Sequence, residues 1–218
     1  MNVQRIQAHA LDISSDQVLT KAHILAMSET WQNNCSTIDI AHYTCITQFK
    51  RVNARTGDVA IFQLNTAFTK AIPHVVEKLD ACYDEQLVLA DEYGDVCAVE
   101  VSLNGIETIL FALYISPSTT TKQKKFFITR NFMMYAKSKS SIVVTGDFNI
   151  DVSKPENIEF IDFMKKCFEL NLVSDLTKPT TLGGSCIDMI FAKNIKTEVK
   201  RYISYFSYHR PLLCQLHT

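Results

Sequence analysis

The residues with the clearest chemical potential are Gly146-Asp147-Phe148-Asn149, which directly follow a run rich in β-branched side chains. Such a run is typical of a buried strand, and alternate spacing places the side chains of Asp147 and Asn149 on the same side of it. A carboxylate and an amide at the mouth of a strand can activate a water molecule and hold a phosphate oxygen. Because Gly, Asp and Asn are also ordinary turn formers, a plain turn is the competing interpretation.

A second carboxylate, Glu29, follows the apolar residues 24–27 and so stands at another predicted strand end. This position suits a hard cation such as Mg²⁺, which keeps most of its waters and takes one or two protein carboxylates. Taken alone, Glu29 is more simply explained as a surface glutamate.

A third carboxylate, Asp188, lies between apolar residues in 186–191 and is expected to be at least half buried. Buried carboxylates are rarely left unpaired. His209, ahead of the last predicted strand, is the natural partner, because a carboxylate can orient an imidazole that polarises a phosphate. The alternative is a packing histidine bonded to a backbone carbonyl, which is favoured when His209 is considered singly.

The elements that must position these residues are mostly short strands. Alternation and β-branched runs predict strands at 23–27, 43–49, 59–64, 86–90, 96–101, 108–114, 141–145, 186–192, 202–205 and 212–216. Helical periodicity predicts helices at 122–136 and 156–170, with others at 15–21 and 73–79. Strands dominate and helices are inserted between them, so the expected fold class is α/β (α+β), with two mixed sheets packed face to face and helices outside.

The bulk composition fits one globular domain. A single core commonly reaches about 200–250 residues, so the 218 residues are expected to form one domain, 1–218, without linkers. No window approaches about 18 uninterrupted apolar residues, and the first residues form neither a basic nor an apolar leader, so we expect an intracellular protein with no membrane partner. The seven cysteines are odd in number and scattered, which favours free thiols in a reducing compartment.

The net charge of −1 gives no global basic field of the kind that nucleic-acid binders often have. Contacts with DNA are therefore expected from local basic clusters, each of which is equally explained as a solvated face. The clusters are Lys50, Arg51 and Arg55; Lys122, Lys124 and Lys125; and Lys193, Lys196, Lys200 and Arg201.

The order of the motifs is more informative than any one of them. From Asn2 to Pro211 the chain carries Asn-Val, Ser-Glu-Thr-Trp, Tyr-x-x-Pro, Gly-Asp-Phe-Asn, Pro-Thr-x(6)-Ile-Asp-x-Ile-Phe and Ser-x-His-Arg-Pro. This order closely resembles the endonuclease/exonuclease/phosphatase (DNase-I-like) superfamily, and within it the endonuclease domains of retrotransposons and related mobile elements. The resemblance implies a four-layered α/β sandwich with its site at one edge of the paired sheets.

Carried over by position, the resemblance implies roles for individual residues. Glu29 would bind the metal, Mg²⁺ or Mn²⁺, and Asp147 would share it while activating or orienting the attacking water. The other implied site residues would contact the phosphate or each other. Asn149 and Asn2 would hold the scissile phosphate or support the metal shell, Tyr114 would hydrogen-bond the phosphate, Asp188 would fix the tautomer of His209, His209 would stabilise charge on the phosphate oxygens, and Arg210 would contact the substrate.

Two departures from the family pattern bear on activity. The family usually has Ser-Asp-His where this chain has Ser207-Tyr208-His209, which implies weakened activity or an altered metal shell. The strand that normally precedes the family asparagine has no counterpart before Asn2. This suggests an N-terminally truncated or domesticated copy, with an incomplete sheet edge and Asn2 poorly held.

Three functional hypotheses follow. The first is a Mg²⁺-dependent endonuclease that nicks DNA, acts in the nucleus, and derives from a mobile element in which reverse transcriptase or helicase domains were its neighbours. The second keeps the chemistry but takes a non-DNA phosphate ester, because fold alone does not fix substrate. The third is a catalytically impaired remnant that still binds nucleic acid or a protein partner.

Overall fold

The computed structural model describes residues 1–31, 39–50, 57–79 and 90–217. Strands dominate this part of the chain. They are β1 (Ile24–Ser28), β2 (Tyr43–Phe49), β3 (Val59–Leu64), β4 (Ala71–His74), β5 (Gly94–Leu103), β6 (Ile106–Ile115), β7 (Ser141–Asp147), β8 (Asn171–Leu172), β9 (Asp188–Lys193), β10 (Lys196–Arg201) and β11 (Leu212–His217). Three α-helices accompany them in the described ranges: α1 (Ile6–Ser15), α2 (Thr121–Phe132) and α3 (Ile158–Phe168).

The larger sheet has six strands in the order β4-β5-β6-β7-β9-β8. Strands β5 and β6 form a hairpin closed by Asn104 and Gly105, both at positive φ, which is the backbone that a two-residue hairpin turn requires. Strands β6 and β7 are parallel, and α2 lies in the connection between them, as a parallel pair demands. The sheet is therefore mixed, as the sequence predicts.

The second layer is a three-stranded sheet in the order β1-β3-β2, and β10 and β11 form a separate antiparallel hairpin. Buried residues of β3, such as Val59 and Ile61, pack against Val99 and Ala112 of the larger sheet. The two sheets are thus face to face, which confirms the predicted α/β sandwich.

Helices cover the outer faces. The opposite side of the six-stranded sheet packs Phe111 and Val144 against Phe127 of α2 and Phe160 of α3. The outer side of the small sheet packs Phe62 against Ile6 of α1 and its neighbours. The order of layers is therefore helix, sheet, sheet, helix.

The two longer helices start with clear signals. Thr120 caps α2 and forms a reciprocal capping box with Gln123, which satisfies two of the free donors at the helix start. Pro155 opens the 3₁₀ turn that leads into α3, where Phe160, Met164 and Phe168 form the buried stripe. These helices confirm the predictions at 122–136 and 156–170.

Several predicted elements are wrong. The helix predicted at 15–21 is a short 3₁₀ turn, and α1 precedes it instead. Residues 73–79 do not form a helix, because Pro73 lies in the edge strand β4, where no backbone donor is needed. Residues 202–205 form no strand, since the chain turns after β10 before it returns as β11.

Some predictions concern residues outside the described ranges: most of the predicted strand 86–90, Cys35, Cys82, Arg51 and Arg55. Within those ranges, five cysteines are free thiols, as predicted. No helix in the part of the chain that the structure describes is both long and apolar enough to span a bilayer.

Candidate active site

Four polar side chains stand side by side across the larger sheet. Asp95 of β5 is paired with Tyr114 of β6, Tyr114 with Asp147 of β7, and Asp147 with Asp188 of β9. Directly paired residues project to the same face of a sheet. We call these four residues, Asp95, Tyr114, Asp147 and Asp188, the acidic row. Because Tyr114 packs with residues of the small sheet, the acidic row lies on the face turned toward the second sheet, at the end of the strands.

Asp147 is held by a hydrogen bond to each of its carboxylate oxygens. Its Oδ2 accepts a hydrogen bond from Asn2 Nδ2 at 2.9 Å, and its Oδ1 accepts one from the backbone N–H of Asn149 at 2.9 Å. Burial and the nearby charge of Asp188 raise the pKa of Asp147 to about 7, against the opposing effects of His209 and the two hydrogen bonds. The Asp147 side chain is therefore fixed in position, and its ionisation is costly without a neighbouring cation.

Asn2 is firmly held, contrary to expectation. It forms a parallel bridge with Ser28 of β1, and Val3 N–H donates to Ser28 O at 3.0 Å. Ser207 Oγ donates to Asn2 O at 2.9 Å and accepts from His209 N–H at 3.0 Å, so one hydroxyl joins both site residues. Asn2 is only 2% exposed. The prediction that it would be poorly held is wrong because this bridge extends the small sheet.

His209 is paired with Asp188 rather than with a backbone carbonyl. The distance from His209 Nδ1 to Asp188 Oδ2 is 2.8 Å, and both side chains are buried. Burial lowers the pKa of His209, but the hydrogen bond and charge of Asp188, together with the charge of Asp147, raise it, and the net shift is upward. The backbone N–H of Asp188 donates to Thr180 Oγ1 at 3.1 Å. This bond holds the start of β9, which carries the Asp188 carboxylate, in place.

Asp147, Asp188 and His209 form one cluster of possible metal ligands. Each offers a ligand atom that lies within 4.8 Å of the other two. Two buried carboxylates so close together repel, as the raised pKa of Asp147 shows. A hard divalent cation, which prefers carboxylate oxygens, would relieve that repulsion, so the residues present fit such an ion.

Glu29 lies at the end of β1 but outside this cluster. Among the described residues, the group within 4.8 Å contains Asp147, Asp188 and His209 and not Glu29. Glu29 is 8% exposed, its φ is 56°, and its Oε2 accepts from Trp31 Nε1 at 2.8 Å. The interpretation of Glu29 as a surface residue is therefore wrong, because its carboxylate is buried and oriented.

Asn149 and Arg210 both make backbone contacts. Asn149 has a φ of 48°, and its Nδ2 donates to Ile115 O at 2.8 Å, which ties the turn after β7 to the end of β6. The guanidinium of Arg210 points to Pro179 O at 3.4 Å. Both residues are partly exposed.

Lys124 is a residue of the site that no sequence motif marks. The sequence predicts it in a basic cluster that contacts DNA or solvent, yet it is 3% exposed, and its Nζ donates to the carbonyls of Phe148, at 3.3 Å, and Asn149. Burial lowers the pKa of Lys124 to about 8. The missed signal was helical spacing, because Lys124 shares the buried face of α2 with Phe127 and Ile128.

Lys193, which belongs to a second predicted basic cluster, is buried as well. It is also 3% exposed, donates from Nζ to Ala136 O at 2.7 Å and pairs with Glu169 at 2.8 Å. Lys200 pairs with Glu198 at 2.8 Å on the exposed hairpin. In each of these two clusters, one lysine is therefore buried and does not contribute to a basic surface patch.

Comparison with known proteins identifies the fold. The sequence matches no protein-family model and no curated protein. Among solved structures, the chain is similar to the endonuclease domain of TRAS1, a telomere-specific non-LTR retrotransposon, with a TM-score of 0.70, 14% identity and coverage of 99% of this chain and 95% of that one.

Two further structures show the range of this fold. The human Nocturnin catalytic domain with bound sulfate has a TM-score of 0.66 at 15% identity, covering 100% of this chain and 92% of that one. The 3′ phosphatase NExo from Neisseria, bound to a product DNA hairpin, has a TM-score of 0.66 at 15% identity, with coverage of 100% and 97%. At such identities the likeness establishes the fold alone, and it is the endonuclease/exonuclease/phosphatase fold that the motif order predicts.

Proposed function

We propose that this chain is a divalent-metal-dependent phosphodiesterase that nicks DNA as the endonuclease of a mobile element. The observation that carries the proposal is the buried cluster of Asp147, Asp188 and His209, joined to Asn2 and Tyr114 at one end of the paired sheets. The proposal extends to a single domain, residues 1–218, that works in the nucleus beside reverse transcriptase or helicase domains of the parent element. The retrotransposon endonuclease of the same fold favours this substrate.

The metal would be held by Asp147 of the cluster, with Glu29 approaching from outside it, while Asp188 stays paired with His209. Mg²⁺ or Mn²⁺ suits these carboxylate oxygens. When bound, such an ion supplies Lewis-acid polarisation of a phosphate oxygen. A metal ligand must be deprotonated, and a cation beside Asp147 would favour its ionised form against the effects of burial and of Asp188.

The remaining residues act on the phosphate and the water. Asp188 holds His209 Nδ1, which leaves Nε2 to donate a hydrogen bond to a phosphate oxygen as negative charge develops there. Asp147 accepts a proton from the attacking water or orients it. Tyr114, next to Asp147 in the acidic row, and Asn149 would hydrogen-bond the phosphate.

A plasmid-nicking assay tests the proposal. Supercoiled DNA with Mg²⁺ or Mn²⁺ is expected to be nicked by the wild type, while Asp147→Ala and His209→Ala lose about 10²–10³-fold in rate, the usual cost of removing one group that stabilises transition-state charge. Asp162→Ala is the matched control, because Asp162 is an exposed carboxylate on α3. Equal nicking by all four proteins would refute the proposal.

A phosphate ester other than DNA is the second candidate, because a 3′ phosphatase has the same fold. Phosphate release from a panel of small phosphomonoesters, without plasmid nicking, would favour this candidate. Tyr208 in place of the family aspartate supports a third, a catalytically impaired binding domain. Calorimetric titration with Mn²⁺ separates it from an enzyme, since stoichiometric binding that depends on Glu29 argues against an impaired remnant.

A further inference from the structure

We infer that Asp95 is a positioning residue for Glu29, acting through the turn at Gly57-Asp58. The inference deepens the proposed function, since it rests on Glu29 serving the metal. Asp95 belongs to the acidic row but stands at its far end, two strands from Asp147. A buried carboxylate in that place calls for a specific partner, because burying a charge is costly unless it is hydrogen-bonded.

The first link joins Asp95 to the turn. Asp95 is 1% exposed, and its Oδ2 accepts a hydrogen bond from the backbone N–H of Asp58 at 2.9 Å. Gly57, at φ 98°, passes so close that a Cβ there would lie 2.6 Å from the same oxygen. The backbone of Gly57 therefore packs directly against the Asp95 carboxylate, and only glycine permits this close approach.

The second link joins the turn to the segment that carries Glu29. The carbonyl of Asp58 accepts from Thr30 N–H at 3.4 Å, and that of Gly57 accepts from Trp31 N–H at 3.4 Å. Glu29 and Trp31 both have positive φ, at 56° and 46°. Non-glycine residues keep such a backbone only where surrounding contacts over-determine it, and the Gly57-Asp58 turn supplies two of those contacts.

The third link orients the carboxylate itself. Trp31 Nε1 donates to Glu29 Oε2 at 2.8 Å, so the indole fixes the side chain that the backbone has placed. A continuous path thus runs from Asp95 through Asp58 and Gly57 to Trp31 and Glu29. Loss of the acceptor at position 95 would release the turn and let Glu29 leave its orientation.

Trp31 reports on this path without any metal or substrate, because it is the single tryptophan of the chain. Asp95→Leu introduces a side chain of similar size that accepts no hydrogen bond. Asp95→Asn keeps an oxygen acceptor and removes the charge. We expect Asp95→Leu to shift Trp31 emission to the red and to increase quenching by acrylamide, and Asp95→Asn to stay near the wild type. Val99→Ala, a buried change on the same strand and face, is the control for simple loss of packing and should leave Trp31 emission unchanged.

Metal affinity gives a second readout. Calorimetric titration with Mn²⁺ alone should show about 10–100-fold weaker binding for Asp95→Leu, the usual cost of losing a partner that orients a metal ligand. Asp95→Asn should bind close to the wild type. Glu29→Gln combined with Asp95→Leu should bind no more weakly than Glu29→Gln alone, because two changes on one path are not additive.

The outcomes separate this inference from the proposed function. An unchanged Trp31 signal in folded Asp95→Leu overturns the inference, as does a further loss of Mn²⁺ affinity in the double variant. If Asp95→Leu does not fold, Gly57→Ala, which pushes a Cβ against the same oxygen, must perturb Trp31 in its place, and an unperturbed signal overturns the inference. A wild type that binds no Mn²⁺ and nicks no DNA refutes the proposed function, while the Trp31 result still decides the role of Asp95.

Discussion

The pairing of His209 with Asp188 determines which ring nitrogen is available for chemistry. Nδ1 is engaged at 2.8 Å, so Nε2 is the atom that can reach a substrate. The same pairing also raises the pKa of His209 against the lowering effect of its burial. A protonated His209 donates a hydrogen bond more strongly, which suits the stabilisation of a phosphate oxyanion.

Asp188→Asn should therefore lower the pKa of His209 and slow nicking by about 10²–10³-fold, because the imidazole loses both its charge partner and its fixed tautomer. NMR titration of the His209 ring protons measures the first effect and the plasmid assay the second. Asp175→Asn, a change at an exposed carboxylate that makes no bond to His209, is the control. An unaltered His209 titration in Asp188→Asn would contradict the assigned pairing.

Lys124 supports the turn that carries Asn149. Lys124→Met keeps the shape of the chain but leaves the carbonyls of Phe148 and Asn149 without this donor. We expect a loss of about 1–3 kcal/mol in the free energy of unfolding, the usual cost of an unsatisfied buried group. Urea denaturation measures it. Lys125→Met, which removes the partly exposed neighbour paired with Glu159, should cost at most about 1 kcal/mol. Equal losses of stability in the two variants would show that the buried contacts of Lys124 do not stabilise this turn.

Site residues could be predicted from the sequence where a motif marks them. Asp147 and Asn149 stand out after a β-branched strand, and Asp188 stands out because it is flanked by apolar residues. Lys124 could not be identified from composition, since a lysine among lysines indicates a solvated surface. Asp95 was missed for a similar reason, because its importance comes from strand register with Tyr114, which no local pattern specifies.

Among the elements, β6 and β7 approach closely where the site begins. Gly146 of β7 is paired with Leu113 of β6, and a Cβ on Gly146 would lie 1.9 Å from the Leu113 carbonyl oxygen. A backbone oxygen cannot move aside without breaking the parallel pairing. Only glycine therefore allows β7 to deliver Asp147 beside Tyr114.

Gly146→Ala is expected to reduce the free energy of unfolding by at least about 1–3 kcal/mol, the range for overpacking a filled interior, and to displace Asp147. Gly105→Ala is the control, since that turn glycine has φ 82° but no atom within 4 Å of its added Cβ. Chemical denaturation of both variants separates steric overlap from backbone strain. Equal stability losses would show that the close approach in β7 has no special cost.

Elements could be predicted where the apolar period is strong. Strands β2 and β3 match their predicted bounds, and the first four residues of β3 are all buried, as a short continuous apolar run predicts. Helix α1 was missed because its buried residues include only Ile6 and Ile13, which give little periodicity. The polar strand β10 was missed because it is paired only with β11, so tertiary pairing rather than apolar pattern makes it a strand.

In the molecule as a whole, the site exists only when the sandwich is assembled. Asn2, Asp147, Asp188 and His209 come from four separate segments of the chain and meet at one end of the sheets. Their motifs predict that they act together. The sequence does not predict that the ligand atoms of Asp147, Asp188 and His209 lie within 4.8 Å of one another, because that distance depends on the assembled fold. The position of Glu29 outside that limit could not be predicted from the sequence for the same reason.

Assembly of this cluster makes stability depend on pH. Burial and Asp188 raise the folded-state pKa of Asp147 to about 7, and the pKa of His209 is raised too. A group whose pKa is higher in the folded state contributes stability that is complete below its unfolded pKa and is lost as pH rises through the folded one. Both groups therefore favour the folded chain at lower pH. Burial lowers the pKa of Lys124 to about 8, above the pH range in which Asp147 ionises, and burial also lowers the pKa of the Met1 amino group, which opposes the trend.

We expect the metal-free protein to lose stability as pH rises from about 5 to 7.5, because Asp147 must ionise beside Asp188. Mn²⁺ at about 100 times its dissociation constant should add about 2.7 kcal/mol and offset most of this loss, since the ion binds the ionised cluster. Thermal unfolding across this pH range, with EDTA and with Mn²⁺, measures both effects. Asp147→Asn should flatten the pH dependence and abolish the gain from Mn²⁺. Metal-free wild type that becomes more stable over the same range would show that Asp147 is not the group that resists ionisation.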